Sequence, residues 1–215
     1  MDETTIDGFN ACLAADAPLS LPPTAYTGVS NQLAEAGAIF ARGWVGVGRA
    51  DQIANPGDYR TVDIADHPVI LIRDKDGTAN ALANTCRHRG ARLLDGEGNT
   101  KGIRCPFHAW AYRLNGELIA TPRMNIDTTC HNLHQYACEE RHGFLFISFE
   151  PTPSNLDEQL GDFAEIHTPW RLETLVTTRR WTKEFNCDWK AFIDVFNEYY
   201  HLPYVHRDSI DGVYN

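Results

Sequence analysis

"CRHRGARLLDGEGNTKGIRCPFH", residues 86–108, places two cysteines and two histidines in one glycine-rich stretch. Cys86 and His88 are one residue apart, Cys105 and His108 two apart, and sixteen residues separate the pairs. A soft thiolate beside an imidazole, twice over, indicates a metal centre. Tetrahedral zinc uses such donors from two loops. A two-iron, two-sulfide cluster uses them as a thiolate pair on one iron and an imidazole pair on the other. Spacing alone leaves both open.

Short strand patterns surround this stretch. "YRTVDI" (59–64) and "HPVILIRD" (67–74) lead into "DKDG" and then "TANAL" (78–82), a hairpin signal at Asp76-Gly77. "WAYRL" (110–114), an Asn-Gly turn and "ELIA" (117–120) repeat the device, and "GFLFISF" (143–149) reads as a buried strand. Before them, "NQLAEAGAIFARGW" (31–44) has helical spacing, with Leu33, Ile39 and Phe40 on one face. "EPTPSN" (150–155) reads as a linker. Beyond it, Ser154 and Asp157 suggest a capping box for a helix striped by Leu156, Leu160 and Phe163. "TLVTTRRWTKEFN" (174–186) suits a strand, and "DWKAFIDVFNEYYH" (188–201) a helix capped by Asp188. The expected fold class is α+β: an N-terminal segment (1–42) packing on the later part, an all-β metal domain (43–150), and the beginning of an α+β domain (155–215).

Composition narrows the function. The 215 residues are 43% hydrophobic and 22% charged, with a net charge of −10. That balance argues against nucleic-acid or anionic-membrane binding, which needs a broad positive field. No apolar run approaches the roughly 20 residues of a membrane-spanning helix. The first thirty residues lack a basic n-region, so the expectation is a cytoplasmic protein. Six cysteines in such a setting favour metal ligation or free thiols over disulfides. Cys12, Cys130, Cys138 and Cys187, outside the motif, are expected to be small, mostly buried thiols. The metal motif itself is locally basic: Arg87, Arg89, Arg92, Lys101 and Arg104 outnumber Asp95 and Glu97. This collar could dock an acidic electron donor.

The flanks "NTCRHRGARL" and "CPFHAWAYRLNGEL" closely resemble the cluster loops of the Rieske non-haem iron oxygenases, in their large (α) subunits. Ala109 stands where many members have glycine. The resemblance implies a [2Fe–2S] cluster with Cys86 and Cys105 on one iron and His88 and His108 on the other. Replacing two thiolates by neutral imidazoles makes the cluster less negative and raises its potential.

"CDWKAFIDVFNEYYHLPYVH" (187–206) carries a second site. Trp189, Phe192, Phe196 and Tyr199 can form a core face, while Asp194, Glu198 and His201 share another at spacings of four and three. Pro203 is expected to stop regular helical bonding near Tyr199, letting His206 swing toward His201. In "EYYHLPYVH" these residues resemble the family's mononuclear Fe(II) motif, two histidines of a facial triad. The resemblance makes Glu198 the bridging acid that passes electrons to this iron from the cluster of a neighbouring subunit. It gives Asp194 a supporting or surface role, and places the third ligand, a carboxylate, downstream of Asn215. Asp208 and Asp211 are poor candidates for it. Many aromatic-ring dioxygenases have aspartate at the bridging position, whereas glutamate occurs in members acting on quaternary ammonium and other substrates.

The implied function is the terminal oxygenase of a multi-component system. An NAD(P)H-dependent reductase, with or without a ferredoxin, would feed the cluster, and O₂ would hydroxylate, dihydroxylate or demethylate a small organic substrate, an aromatic acid or a quaternary ammonium compound. Because electrons cross between subunits, a homo-oligomer, commonly a trimer, is implied. The competing reading, a Rieske electron-transfer protein without oxygenase activity, explains residues 43–150 but leaves His201 and His206 without a role.

Overall fold

The computed structural model describes residues 21–198, 200–207 and 209. Cys12, Tyr199, Asp208, Asp211 and the first twenty residues of the expected N-terminal segment lie outside these. The chain forms two compact units, one from Glu35 to Thr182 and one joining the described residues up to Ala34 to those from Lys183 onward.

All ten strands among the described residues belong to the larger unit. They are β1 (Val45–Arg49), β2 (Asp58–Ile64), β3 (His67–Arg73), β4 (Ala79–Ala83), β5 (Glu97–Asn99), β6 (Ile103–Arg104), β7 (Ala111–Tyr112), β8 (Leu118–Ala120), β9 (Gln135–Arg141) and β10 (Phe144–Ser148). Seven form an antiparallel sheet in the order β1-β10-β9-β4-β3-β2-β5, and β6-β7-β8 form a second. Strand β3 explains why "VILI" carries no alternation: both faces are covered. Ile70 and Ile72 point into a core with Leu82, Trp110 and Tyr112, while Val69 and Leu71 enter a second with Ile53, Leu145 and Ile147. Successive side chains of one strand therefore hold two cores together. Arg73, at the end of β3, is buried, and its guanidinium donates to the carbonyls of Ile53, Gly77 and Ala50 and to Glu140.

Among the described residues the α-helices are α1 (Thr24–Thr27), α2 (Val29–Glu35), α3 (Leu156–Leu160), α4 (Phe163–His167), α5 (Trp189–Phe196) and α6 (Leu202–Val205). The expected helix over 31–44 starts at Val29 and widens into a π-turn at Ala36–Phe40, so it ends before Trp44. Leu33 and Ile39 of its apolar face are exposed.

Several expectations are corrected. Asn155, not Ser154, caps α3, its side chain accepting the Asp157 N–H at 2.8 Å. The "linker" before it is tied down: the Trp44 indole donates to Ser154 O at 2.7 Å, and Gln159 exchanges two hydrogen bonds with the Trp44 backbone. Residues 174–186 form no strand. Arg49 instead donates to the Leu172 and Leu175 carbonyls, and Asp51 accepts from Thr177, so side chains replace a ladder there. Asp188 caps α5 as expected, accepting the Lys190 N–H at 2.9 Å, but α5 ends at Phe196 rather than His201. Pro203 lies in the first turn of α6, where a missing N–H costs nothing, so it opens a helix instead of breaking one. The proposed core face of α5 is open: Trp189, Phe192 and Phe196 are 41%, 43% and 70% exposed.

Candidate iron sites

Cys86 and Cys105 lie in two hairpin loops with the same backbone plan. In the first, Cys86 N–H donates to Ala91 O and Gly90 N–H to Cys86 O, at 2.8 and 2.9 Å. In the second, Cys105 N–H donates to Trp110 O and Ala109 N–H to Cys105 O, at 2.8 and 3.0 Å. Each loop turns back through a left-handed residue four places after its cysteine, Gly90 at φ 73° and Ala109 at φ 60°. The one-residue and two-residue spacings thus put His88 and His108 at adjacent positions of one turn type, and their ring centroids are 4.7 Å apart.

Burial divides the four donors. Both sulfurs belong to buried core residues and form no disulfide, whereas His108 is exposed. His88 stacks on buried Trp110, centroids 4.8 Å apart and planes 9° from parallel, which fixes its ring. Its Nδ1 is buried without a hydrogen-bond partner. A buried ring nitrogen left unpartnered is costly unless it donates its lone pair to a metal. Burial, then the neighbouring His108 and Arg89, lowers the His88 pKa and keeps the ring in the neutral form a metal needs. Buried thiolates beside imidazoles with a free nitrogen fit a two-iron, two-sulfide cluster.

Two buried polar residues support the loops and were not singled out from the sequence. The Tyr112 hydroxyl lies 3.4 Å from Cys86 Sγ and accepts the Arg87 N–H at 3.2 Å. Burial, then the contact with Cys86, raises the Tyr112 pKa, so the hydroxyl keeps its proton. Asn84 accepts the N–H groups of Leu93 and Leu94 and donates to Leu94 O. The available signal was a polar side chain inside an otherwise apolar pattern. The Trp110 indole N–H is also buried without a partner; the structure offers no account of it.

Around the loops the basic collar is smaller than its sequence suggested. Arg92 is paired with Asp63 and Asp95, and Glu97 with Arg180. Arg87, Arg89, Lys101 and Arg104 are exposed, and Arg89 lies over the ring of Phe107, itself 60% exposed. Of the other cysteines, Cys130 and Cys187 are exposed, contrary to expectation, because they sit in a surface turn and ahead of α5. Cys138 is half-buried, and burial pushes its thiol up to about 12.

In the smaller unit His201 and His206 flank α6, their ring centroids 5.4 Å apart. The four-residue helix between them brings the rings together. Glu198 contacts His201 Nδ1 and also accepts the His201 backbone N–H at 3.1 Å. The contact with the His201 ring, more than the backbone bond, lowers the Glu198 pKa, and the ionised carboxylate holds the proton on Nδ1, leaving Nε2 free for a metal. Asp194 is drawn elsewhere, accepting from the Tyr26 hydroxyl at 2.7 Å.

Residues 43–136 match the model of the Rieske [2Fe–2S] domain, and residues 172–213 that of the ring hydroxylating alpha subunit catalytic domain. The chain therefore carries a Rieske domain followed by part of a ring hydroxylating alpha-subunit catalytic domain. Its Rieske domain implies a [2Fe–2S] cluster and its catalytic domain a mononuclear iron. Over 94% of its length it is 32% identical to the carnitine monooxygenase oxygenase subunit of Acinetobacter baumannii, covering 56% of that protein. It is 30% identical to the glycine betaine monooxygenase oxygenase subunit of Chromohalobacter salexigens, over 90% of this chain and 44% of that one. A crystal structure of the quaternary ammonium Rieske monooxygenase CntA with L-carnitine superposes with a TM-score of 0.84 at 31% identity, covering 89% of this chain and 56% of that one. The chain thus spans about half the length of the relatives it matches. Among the described residues no helix is long and apolar enough to cross a membrane.

Proposed function

We propose that this chain is part of the oxygenase component of a multi-component Rieske system, acting on a quaternary ammonium compound. The observation that carries the proposal is the pair of matching hairpins, with buried sulfurs and an unpartnered His88 Nδ1. Residues 43–150 form the cluster domain, with Cys86 and Cys105 on one iron and His88 and His108 on the other. Residues 155–215 begin the catalytic domain, and His201 and His206 bind the mononuclear iron. When bound, the cluster relays single electrons and the mononuclear iron activates O₂. The chain's own residues hold the geometry. Buried Cys86 and Cys105 keep water from the cluster's thiolate side, while exposed His108 presents an imidazole edge to a partner. Glu198, ionised and bonded to His201, holds that ring in one tautomer and bridges it to a cluster histidine of a second copy. A homotrimer follows, in the cytoplasm, supplied by an NAD(P)H-dependent reductase with or without a ferredoxin. The unpaired cations Arg87, Arg89, Lys101 and Arg104 suit an acidic donor. Glutamate at 198 and the carnitine and glycine betaine relatives favour quaternary ammonium over aromatic substrates.

The test is purification, metal analysis and O₂ uptake with a reductase. The expected protein is brown, gives the low-g EPR signal of a reduced Rieske cluster, and consumes O₂ with carnitine or glycine betaine but not benzene. Glu198→Gln should keep the EPR signal and lose about 10- to 100-fold in uptake. Colourless, zinc-loaded protein overturns the proposal, and coloured protein without substrate-dependent uptake leaves an electron carrier.

A further inference from the structure

We infer that Asn84 is a positioning residue for the [2Fe–2S] cluster, its carboxamide standing in for strand pairing that the first ligand hairpin lacks. The inference rests on Cys86 and His88 being cluster ligands. The two hairpins share their loop hydrogen bonds, yet their stems differ. Beneath the second loop, Arg104 pairs with Ala111 and Ile103 with Tyr112, as β6 and β7. Beneath the first, only the bridge between Thr85 and Arg92 forms. The next residue inward is Asn84, opposite Leu93, where backbone pairing would continue.

The chain cannot continue that pairing. Strand β4, just upstream, is bonded to β3 on one side and β9 on the other. Ala83 N–H goes to His134 O and Asn84 N–H to Pro68 O, so the backbone is committed to the large sheet up to the point where it leaves. The amide groups of Leu93 and Leu94 must be satisfied from elsewhere. Asn84 Oδ1 accepts both N–H groups at 3.0 Å, and its Nδ2 donates to Leu94 O at 2.7 Å. The residue is 0% exposed, so water offers no substitute. Three short bonds from one rigid side chain close the stem that aims Cys86 and His88. Among the natural side chains only asparagine supplies two acceptor lone pairs and a donor at that length. Aspartate keeps the acceptors and turns the donor into an oxygen facing Leu94 O; alanine removes all three bonds.

The experiment compares the wild type with Asn84→Ala and Asn84→Asp, and with Leu145→Ala as a control for lost stability in the second core. Each is loaded with its cluster, and three quantities are read: iron release to a ferrous chelator, the midpoint potential, and the EPR g-values. Asn84→Ala should release iron at least about tenfold faster and shift or broaden the g-values, with Asn84→Asp intermediate and Leu145→Ala unchanged. If Asn84→Ala does not accumulate, Asn84→Asp carries the same test. Wild-type release rate, potential and g-values in the asparagine variants would overturn the inference, as would equal changes in Leu145→Ala. Failure of the cluster assignment itself would be distinct, since the wild type would then have no Rieske signal.

Discussion

Replacing Tyr112 by phenylalanine removes one oxygen from a fully buried ring and leaves the packing volume nearly intact. A metal-bound thiolate has no proton to give, so the Tyr112 hydroxyl donates to Cys86 Sγ, 3.4 Å away, and accepts from Arg87 N–H. Hydrogen bonds to charged groups contribute about 1.5–3 kcal/mol net. Reduction adds negative charge to the acceptor, and the bond strengthens with it. Assigning roughly 1 kcal/mol to that difference, and taking about 59 mV per tenfold change for a one-electron couple, the variant's potential falls by about 40 mV. The sign follows because the lost bond favoured the reduced form more than the oxidised one. Arg87 N–H is left without its partner, at a stability cost of about 1–3 kcal/mol. A dye-mediated titration followed by EPR reads the potential, and thermal unfolding reads the cost. A folded, cluster-loaded variant with an unchanged or higher potential would refute the reasoning.

Two further outcomes follow from local geometry. Ala109 is held at φ 60° where the equivalent loop has Gly90, so Ala109→Gly relieves left-handed strain of about 1–2 kcal/mol against a glycine entropy cost of about 0.5–1. Stability should rise by up to about 1.5 kcal/mol in a denaturant titration, and a fall would contradict the strain. Cys130 and Cys187 are exposed, whereas burial pushes the Cys138 thiol up to about 12. Iodoacetamide at pH 8 should therefore alkylate the first two and spare Cys138, as peptide mass spectrometry would show.

Much of the site is legible in one dimension. Ligand identity depends on residue type and separation within a few positions, and so do the Asp188 cap and the unbroken apolar run of β3. These features are set by neighbours along the chain, where backbone geometry is nearly constant. The helix boundary at Phe196 and the unpaired stretch 174–186 were not readable, because a strand exists only if another strand offers it a ladder. Likewise Trp189, Phe192 and Phe196 have the spacing of a core face, but spacing does not say what covers it.

What the sequence determined by itself is the donor set: two thiolates, two imidazoles, and a second pair of histidines with an acid before them. What only the tertiary structure decided is how those donors are held. The equivalence of Gly90 and Ala109, the Tyr112 hydroxyl at Cys86, and the Asn84 clamp under the first hairpin join residues about ten to twenty-six positions apart. Their bonds depend on which strands have already used their backbone groups, and that becomes fixed only when the sheets pack.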